Sequence, residues 1–196
     1  MKHYLRFMLV LLLSTVWCVG GYSQTWEKVS LSDLTNEDVF VIVDVTNSVA
    51  LQNKAVNSKP KGTNISVNSS GDKLLGTISD DLLWNVSKNS DGTYTFYPNG
   101  NKKIWLGNGG STDLSIATQK CKNFTVYSES KYVGLLENST NRFIAYYSSK
   151  NDFRCYAKSN VSKFNTVLAY FKKVESTKKI ASLAISGTPT KTKYLS

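Results

Sequence analysis

Between Trp26 and Val174 the chain alternates short β-branched or aromatic runs with turns, and the apolar spacing of a surface helix is almost absent. Val39 to Val43 is a continuous apolar run ended by Asp44 and Asn47. Trp84-Asn85-Val86 leads to Asn89-Ser90-Asp91-Gly92, where Asp-Gly is a strong hairpin signal. Thr93 to Tyr97 follows, and Pro98-Asn99-Gly100-Asn101 makes the next turn. Ile104-Trp105-Leu106, a loop at Gly107 to Gly110, and Leu114-Ser115-Ile116 continue the rhythm. The last third repeats it at Phe124 to Tyr127, Tyr132 to Leu136, Arg142 to Tyr146, Phe153 to Tyr156 and Thr166 to Phe171. One short helical turn fits, at Ser32-Asp33-Leu34. The fold class is therefore all-β.

The strands group into three sets. The first centres on Ala50 to Asn53 and ends at Asn64 to Val67. The second centres on Trp105 to Asn108 and ends at Asp113 to Ile116. The third centres on Phe143 to Tyr146 and ends at Asp152 to Cys155. Each set is an apolar or aromatic pair, a polar loop and an alternating strand. Trp84 and Phe124, about forty residues apart, open the second and third sets. A threefold repeat of roughly forty residues with about four short strands each predicts a β-trefoil-like barrel, whose closure removes exposed sheet edges. A two-sheet β-sandwich is the alternative.

The N-terminus points to export. Lys2 and Arg6 precede an apolar run from Phe7 to Trp17, and Gly21-Tyr22-Ser23 supplies small residues for cleavage before Gln24. That run is shorter than the ~20 residues that cross a bilayer. An uncleaved anchor helix and a lipidated Cys18 are the alternatives. Removing residues 1–23 leaves 173 residues, enough for one domain with a real core. It takes Lys2 and Arg6 from the 24 basic residues, leaving 22 against 14 acidic ones. It also takes His3, the single histidine of the chain. Nucleophile–imidazole catalysis and histidine-containing zinc sites cannot then be built. Carboxylate-only chemistry survives that test. However, Glu37-Asp38 and Asp80-Asp81 are the adjacent acids, and neighbours on a strand face opposite ways. The expectation is a chain that is not an enzyme and needs no cofactor or metal.

Cys121 and Cys155 remain after export, and either a disulfide or two buried thiols fits. The lysines are scattered as Lys59/Lys61, Lys102-Lys103, Lys120/Lys122, Lys172-Lys173 and Lys178-Lys179, which reads as a solvated basic surface rather than a specific nucleic-acid site. Six Asn-x-Ser/Thr sequences, beginning at Asn64, Asn68, Asn85, Asn123, Asn138 and Asn160, mark loops rich in Asn and Ser.

Beyond Val174 the composition shifts, with a polar linker at residues 176–182. Leu183, Ile185, Ser186, Gly187, Pro189, Lys191 and Tyr194 stand in the order and spacing of a strand of the form Leu-x-x-Ile-x-Val-Ser-Gly followed by Pro-Thr-Lys-Thr-x-Tyr. This stretch resembles the first strand of a bacterial immunoglobulin-like domain of group 3. The resemblance implies a second domain over 183–196, cut off in this chain. One strand cannot make a sandwich, so those residues are expected to form a loose tail. Residues 24–175 resemble, more diffusely, a trefoil-type module near the N-terminus of long secreted or surface proteins of gut-type bacteria. Ser32-Asp33-Leu34 before Val39 to Val43, Trp105-Leu106, Phe153-x-Cys155-Tyr156 and Val167-x-Ala169-Tyr170-Phe171-Lys172 carry that likeness. It implies an accessory module and brings no catalytic residues.

Three functions follow. The first is a non-catalytic extracellular binding module, with glycan or another cell-surface polymer as ligand. Sugars are held by an aromatic face and by Asn, Asp or Gln side chains. Trp105, Tyr146 and Tyr147 are the aromatics beside turns, with Asn53, Asn108, Asp113 and Asp152 as polar neighbours. The same residues would serve equally as core caps and turn formers. The Gln-x-Trp marks of ricin-type lectin trefoils are absent. The second is a spacer or adhesion domain of an Ig-like array, with those domains as partners in cis. The third is the non-catalytic N-terminal part of an exported hydrolase or nuclease.

Overall fold

The computed structural model describes residues 25–118 and 122–174. The leader, the linker and the Ig-like stretch expected from the sequence lie outside those residues. So does Cys121.

The chain folds into short strands arranged as a curled antiparallel half-barrel sheet. In order they are β1 (Thr25–Val29), β2 (Phe40–Asp44), β3 (Val49–Leu51), β4 (Gly62–Asn64), β5 (Ser66–Val67) and β6 (Lys73–Leu75). Then come β7 (Trp84–Lys88), β8 (Tyr94–Pro98), β9 (Trp105–Asn108), β10 (Leu114–Ala117) and β11 (Phe124–Glu129). The series ends with β12 (Tyr132–Glu137), β13 (Arg142–Tyr147), β14 (Asp152–Ala157) and β15 (Leu168–Val174). Four 3₁₀ turns punctuate the described strands, the first at Leu31–Asp33 where the sequence suggests a helical turn.

Strand β2 shows why its sequence does not alternate. It is buried on both faces. Phe40 and Ile42 enter the main core, while Val41 and Val43 enter a second cluster with Trp26, Leu74, Leu83 and Phe171. An apolar run is what a strand covered on two sides requires. The hairpin β7–β8 closes at Asn89 to Thr93, with Gly92 at φ 80° and the Asp91 carboxylate accepting from the Thr93 amide at 3.0 Å.

Six strands lie side by side in the order β12, β11, β8, β7, β2, β15. The two ends of this series meet again where the Val133 amide donates to the Thr166 carbonyl at 2.9 Å, beside a Val133–Val167 bridge. Between these strands run three two-stranded hairpins: β3–β4, β9–β10 and β13–β14. The hairpins converge. Val56 pairs with Ile116, Lys61 with Asp152, and the Cys155 amide donates to the Thr112 carbonyl at 3.2 Å. The first hairpin departs from the expected strand at Asn64 to Val67. That stretch breaks at Ile65, so Gly62–Asn64 pairs with β3 while Ser66–Val67 turns away to pair with β6.

The rings of Phe40, Phe96 and Phe124 lie edge to face at 6.2 and 5.9 Å and join β2, β8 and β11 inside the main core. A smaller core holds Ala145 and Val161 with Tyr132 and Phe143, whose rings meet edge to face at 4.7 Å. No helix among the described residues is long and apolar enough to cross a membrane.

Candidate functional site

The third hairpin supplies the centre of the candidate site. Along β14 the side chains alternate: Phe153 and Cys155 are fully buried in the main core, and Asp152, Arg154 and Tyr156 face the other way. The hairpin turns through Ser148–Lys150 and closes at Asn151, which adopts a left-handed φ of 49°. Asparagine tolerates that conformation better than most residues. The register then sets Tyr147 directly across from Asp152.

These side chains form a chain of contacts. Arg154 donates to Asp152 twice, from Nε at 2.6 Å and from Nη2 at 3.2 Å. Its guanidinium lies 4.2 Å from the centre of the Tyr147 ring. Asp152 is 3 % exposed, whereas Tyr147 is 36 % exposed. A surface tyrosine is thus backed by a cation that a buried carboxylate fixes in place. Beside it the Tyr146 hydroxyl donates to Asn151 Oδ1 at 2.8 Å, and the Tyr146 ring packs on Phe153 at 5.3 Å.

The long loop from Gln52 to Lys61 passes alongside. The Phe153 amide donates to the Pro60 carbonyl at 2.8 Å, and the Gly62 amide to the Asn151 carbonyl at 3.2 Å. Gly62 has to be glycine for this approach. A Cβ there would collide with Val49 Cγ1 and stand 2.9 Å from Tyr146 Cε2. Between loop and hairpin lies a cleft of about 390 Å³, lined by Gln52, Lys54, Ser58, Lys59, Lys61 and Asp152 among others. A more open groove of about 580 Å³ beside β5 is lined by Asn68 and several serines and, unlike the cleft, by no charged residue.

The structure therefore brings together four residues singled out from the sequence. Tyr146, Tyr147 and Asp152 share the hairpin, and Asp113 reaches the same loop from the second hairpin. Asp113 accepts from the Ser58 hydroxyl at 2.7 Å and pairs with Lys59 at 3.3 Å. The other three are placed elsewhere or are occupied. Asn53 donates its side-chain amide to the Asp80 and Leu83 carbonyls at 2.9 and 2.6 Å, which straps the loop to the 3₁₀ turn before β7. Asn108 is buried and accepts from the Gly110 amide, closing its own turn. Trp105 is half-buried at the start of β9 with the Lys122 ammonium 4.3 Å above its ring. Cys155 carries a free thiol, and burial above all pushes it up to about 12.

Sequence reading missed Arg154, Lys61, Lys59 and Ser58. A signal for Arg154 was present: two residues beyond Asp152 on a strand, it must share that face. No comparable signal marks the loop residues, because their positions come from contacts with β10 and β14.

The hydroxyls of Ser58 and Ser111, and then the Lys59 ammonium, hold the Asp113 carboxyl below its ordinary value of 3.8. A folded value below the unfolded one adds stability above pH 3.8 that is lost as pH falls through the lower folded value. Asp113→Asn is therefore expected to separate from the parent chain in urea unfolding at neutral pH and to merge with it in acid. An unchanged gap at every pH would show that the carboxylate does not act through its charge.

No family model matches the sequence. No curated protein matches it either. Among solved structures, a GlcNAcα1-4Gal releasing endo-β-galactosidase from Clostridium perfringens is similar in fold, with a TM-score of 0.51 at 12 % identity. The match covers 71 % of this chain and 33 % of that one, so the chain spans about a third of the enzyme's length.

Proposed function

We propose that residues 24–175 form a non-catalytic, β-trefoil-like carbohydrate-binding module of a larger exported protein, with residues 1–23 as its signal peptide and residues 183–196 as the start of an Ig-like domain. The three converging hairpins between six adjacent strands support the trefoil reading. A fold neighbour that is an endo-β-galactosidase supports a carbohydrate-related role. The observation that carries the sugar reading is Tyr147, exposed, backed by Arg154 and paired across the hairpin with Asp152, which lines a cleft rich in hydrogen-bonding groups. Such a ring offers a flat apolar face to sugar C–H groups at little entropic cost. The site's carboxylates are already committed to Arg154, Lys59 and Lys61, which fits a role in holding rather than cleaving.

The test is binding to a glycan panel followed by calorimetry on the best ligand. Tyr147→Ala should bind about tenfold more weakly, the worth of about 1 to 1.5 kcal/mol of stacking, while melting like the parent. Absence of any glycan binding at millimolar concentration would favour the spacer reading. Equal affinity of parent and variant would move the site away from this hairpin.

A further inference from the structure

Resting on the sugar-binding reading above, we infer that the cleft takes an anionic saccharide, one bearing carboxylate or sulfate groups. Its three lining lysines, Lys54, Lys59 and Lys61, come from the single loop between β3 and β4. That loop is held by its backbone. Asn53 donates to the Asp81 carbonyl at 2.7 Å, Val56 and Ile116 exchange bonds at 3.1 and 2.8 Å, and Lys59 donates to Leu114 at 2.6 Å. Lys59 sits at φ 58°, a conformation that glycine adopts freely and lysine does not. The loop backbone therefore presents its lysines from fixed positions along the chain.

The charges around the cleft do not balance. Lys54 pairs with Asp81 at 3.1 Å and Lys59 with Asp113 at 3.3 Å. Asp152 serves two cations at once. Arg154 takes both of its oxygens, and Lys61 stands off at 3.9 Å while donating to the Lys150 carbonyl at 3.0 Å. Four cations thus face three carboxylates, and the surplus resides on Lys61. Its side chain is 58 % exposed and that of Lys54 is 67 % exposed, so both ammonium groups are open to a ligand. A carboxylate or sulfate beside Lys61 would complete the charge balance through charge-assisted hydrogen bonds, which are roughly twice as strong as neutral ones. A neutral sugar leaves that charge unmatched.

The full chain is titrated with three polysaccharides of matched length, one neutral, one containing uronate and one sulfated, at low and high salt. Lys54→Gln/Lys61→Gln is compared with Lys102→Gln/Lys103→Gln, an equal charge loss at exposed positions that do not line the cleft. The expected result is preference for one or both charged polymers and weakening by added salt. The cleft variant should bind about tenfold more weakly and the control within about twofold of the parent. Uronate and sulfate arms tell which anion is preferred. Equal binding of neutral and charged polymers would overturn the anionic inference and leave the sugar reading standing. Binding of none would overturn the sugar reading itself. Equal losses in both variants, or displacement by single-stranded DNA as effective as by the sugar, would reduce the effect to bulk charge and overturn the inference.

Discussion

Phe96→Ala is expected to cost the fold about 3 to 5 kcal/mol, the range found when a large buried aromatic is truncated. The ring is fully buried and stands between Phe40 and Phe124, so it links three strands from separate parts of the chain. Those strands are fixed by their ladders: β8 pairs along its length with β7, and at Tyr94 with Phe124 of β11. The walls cannot close on the space left behind, and the unfilled volume adds to the lost transfer energy. Urea unfolding should show a lower midpoint with an unchanged slope, and the melting temperature should fall by roughly 10 °C. Val126→Ala supplies the contrast, since Val126 is 56 % exposed on the neighbouring β11 and its loss should stay under about 0.5 kcal/mol. A Phe96→Ala loss as small as that would mean the three rings do not organise the core.

Those three rings also show how far the sequence can be read. Phe40, Phe96 and Phe124 each lie in a run whose β-branched and aromatic content marks a strand, and each run forms one. The three hairpins sit where the apolar pairs recur; in the second and third a short turn between two short partners suffices, whereas the first is joined by the long loop from Gln52 to Lys61. What escapes local reading is the pairing of distant pieces. Ser66–Val67 looks like the end of the first set, yet it closes a tight hairpin with β6 across Asn68 to Asp72; the distant choices are those of β1, which joins β6 as well as β15. No local pattern encodes such choices; the burial of Trp26, Leu74 and Phe171 in one shared cluster enforces them.

The candidate site divides in the same way. Tyr146, Tyr147 and Asp152 are close in sequence and meet through a single hairpin, so their proximity follows from one turn. Asn53 and Asn108 have the right chemistry for a ligand contact but close loops instead, since buried backbone groups need partners first. Lys61 and Ser58 gain meaning from β14 and Asp113, ninety-one and fifty-five residues along the chain respectively. Spacing within the sequence carries no trace of that.

Asp152→Ala should bring the second large effect and tie the fold to the site. Asp152 is buried and holds Arg154 through two hydrogen bonds with Lys61 close by. Removing the carboxylate leaves both cations without it, which for a buried pair costs about 3 to 5 kcal/mol. The Arg154 side chain is 20 % exposed and can turn partly to water, so a loss of about 3 kcal/mol is expected here. Arg154→Ala removes the cation in its turn and leaves Asp152 facing Lys61 alone. The double variant leaves neither partner of the close pair stranded, so its loss should fall short of the sum of the two single losses by at least about 1 kcal/mol. Additive losses would show that the pair contributes nothing as a pair. Binding separates this from stability alone. In Arg154→Ala the Tyr147 ring loses its backing while remaining exposed, so glycan affinity should drop toward that of Tyr147→Ala even where the domain stays folded. Full affinity in a folded Arg154→Ala chain would show that Tyr147 needs no support from the ion pair, and that its exposure alone makes the binding surface.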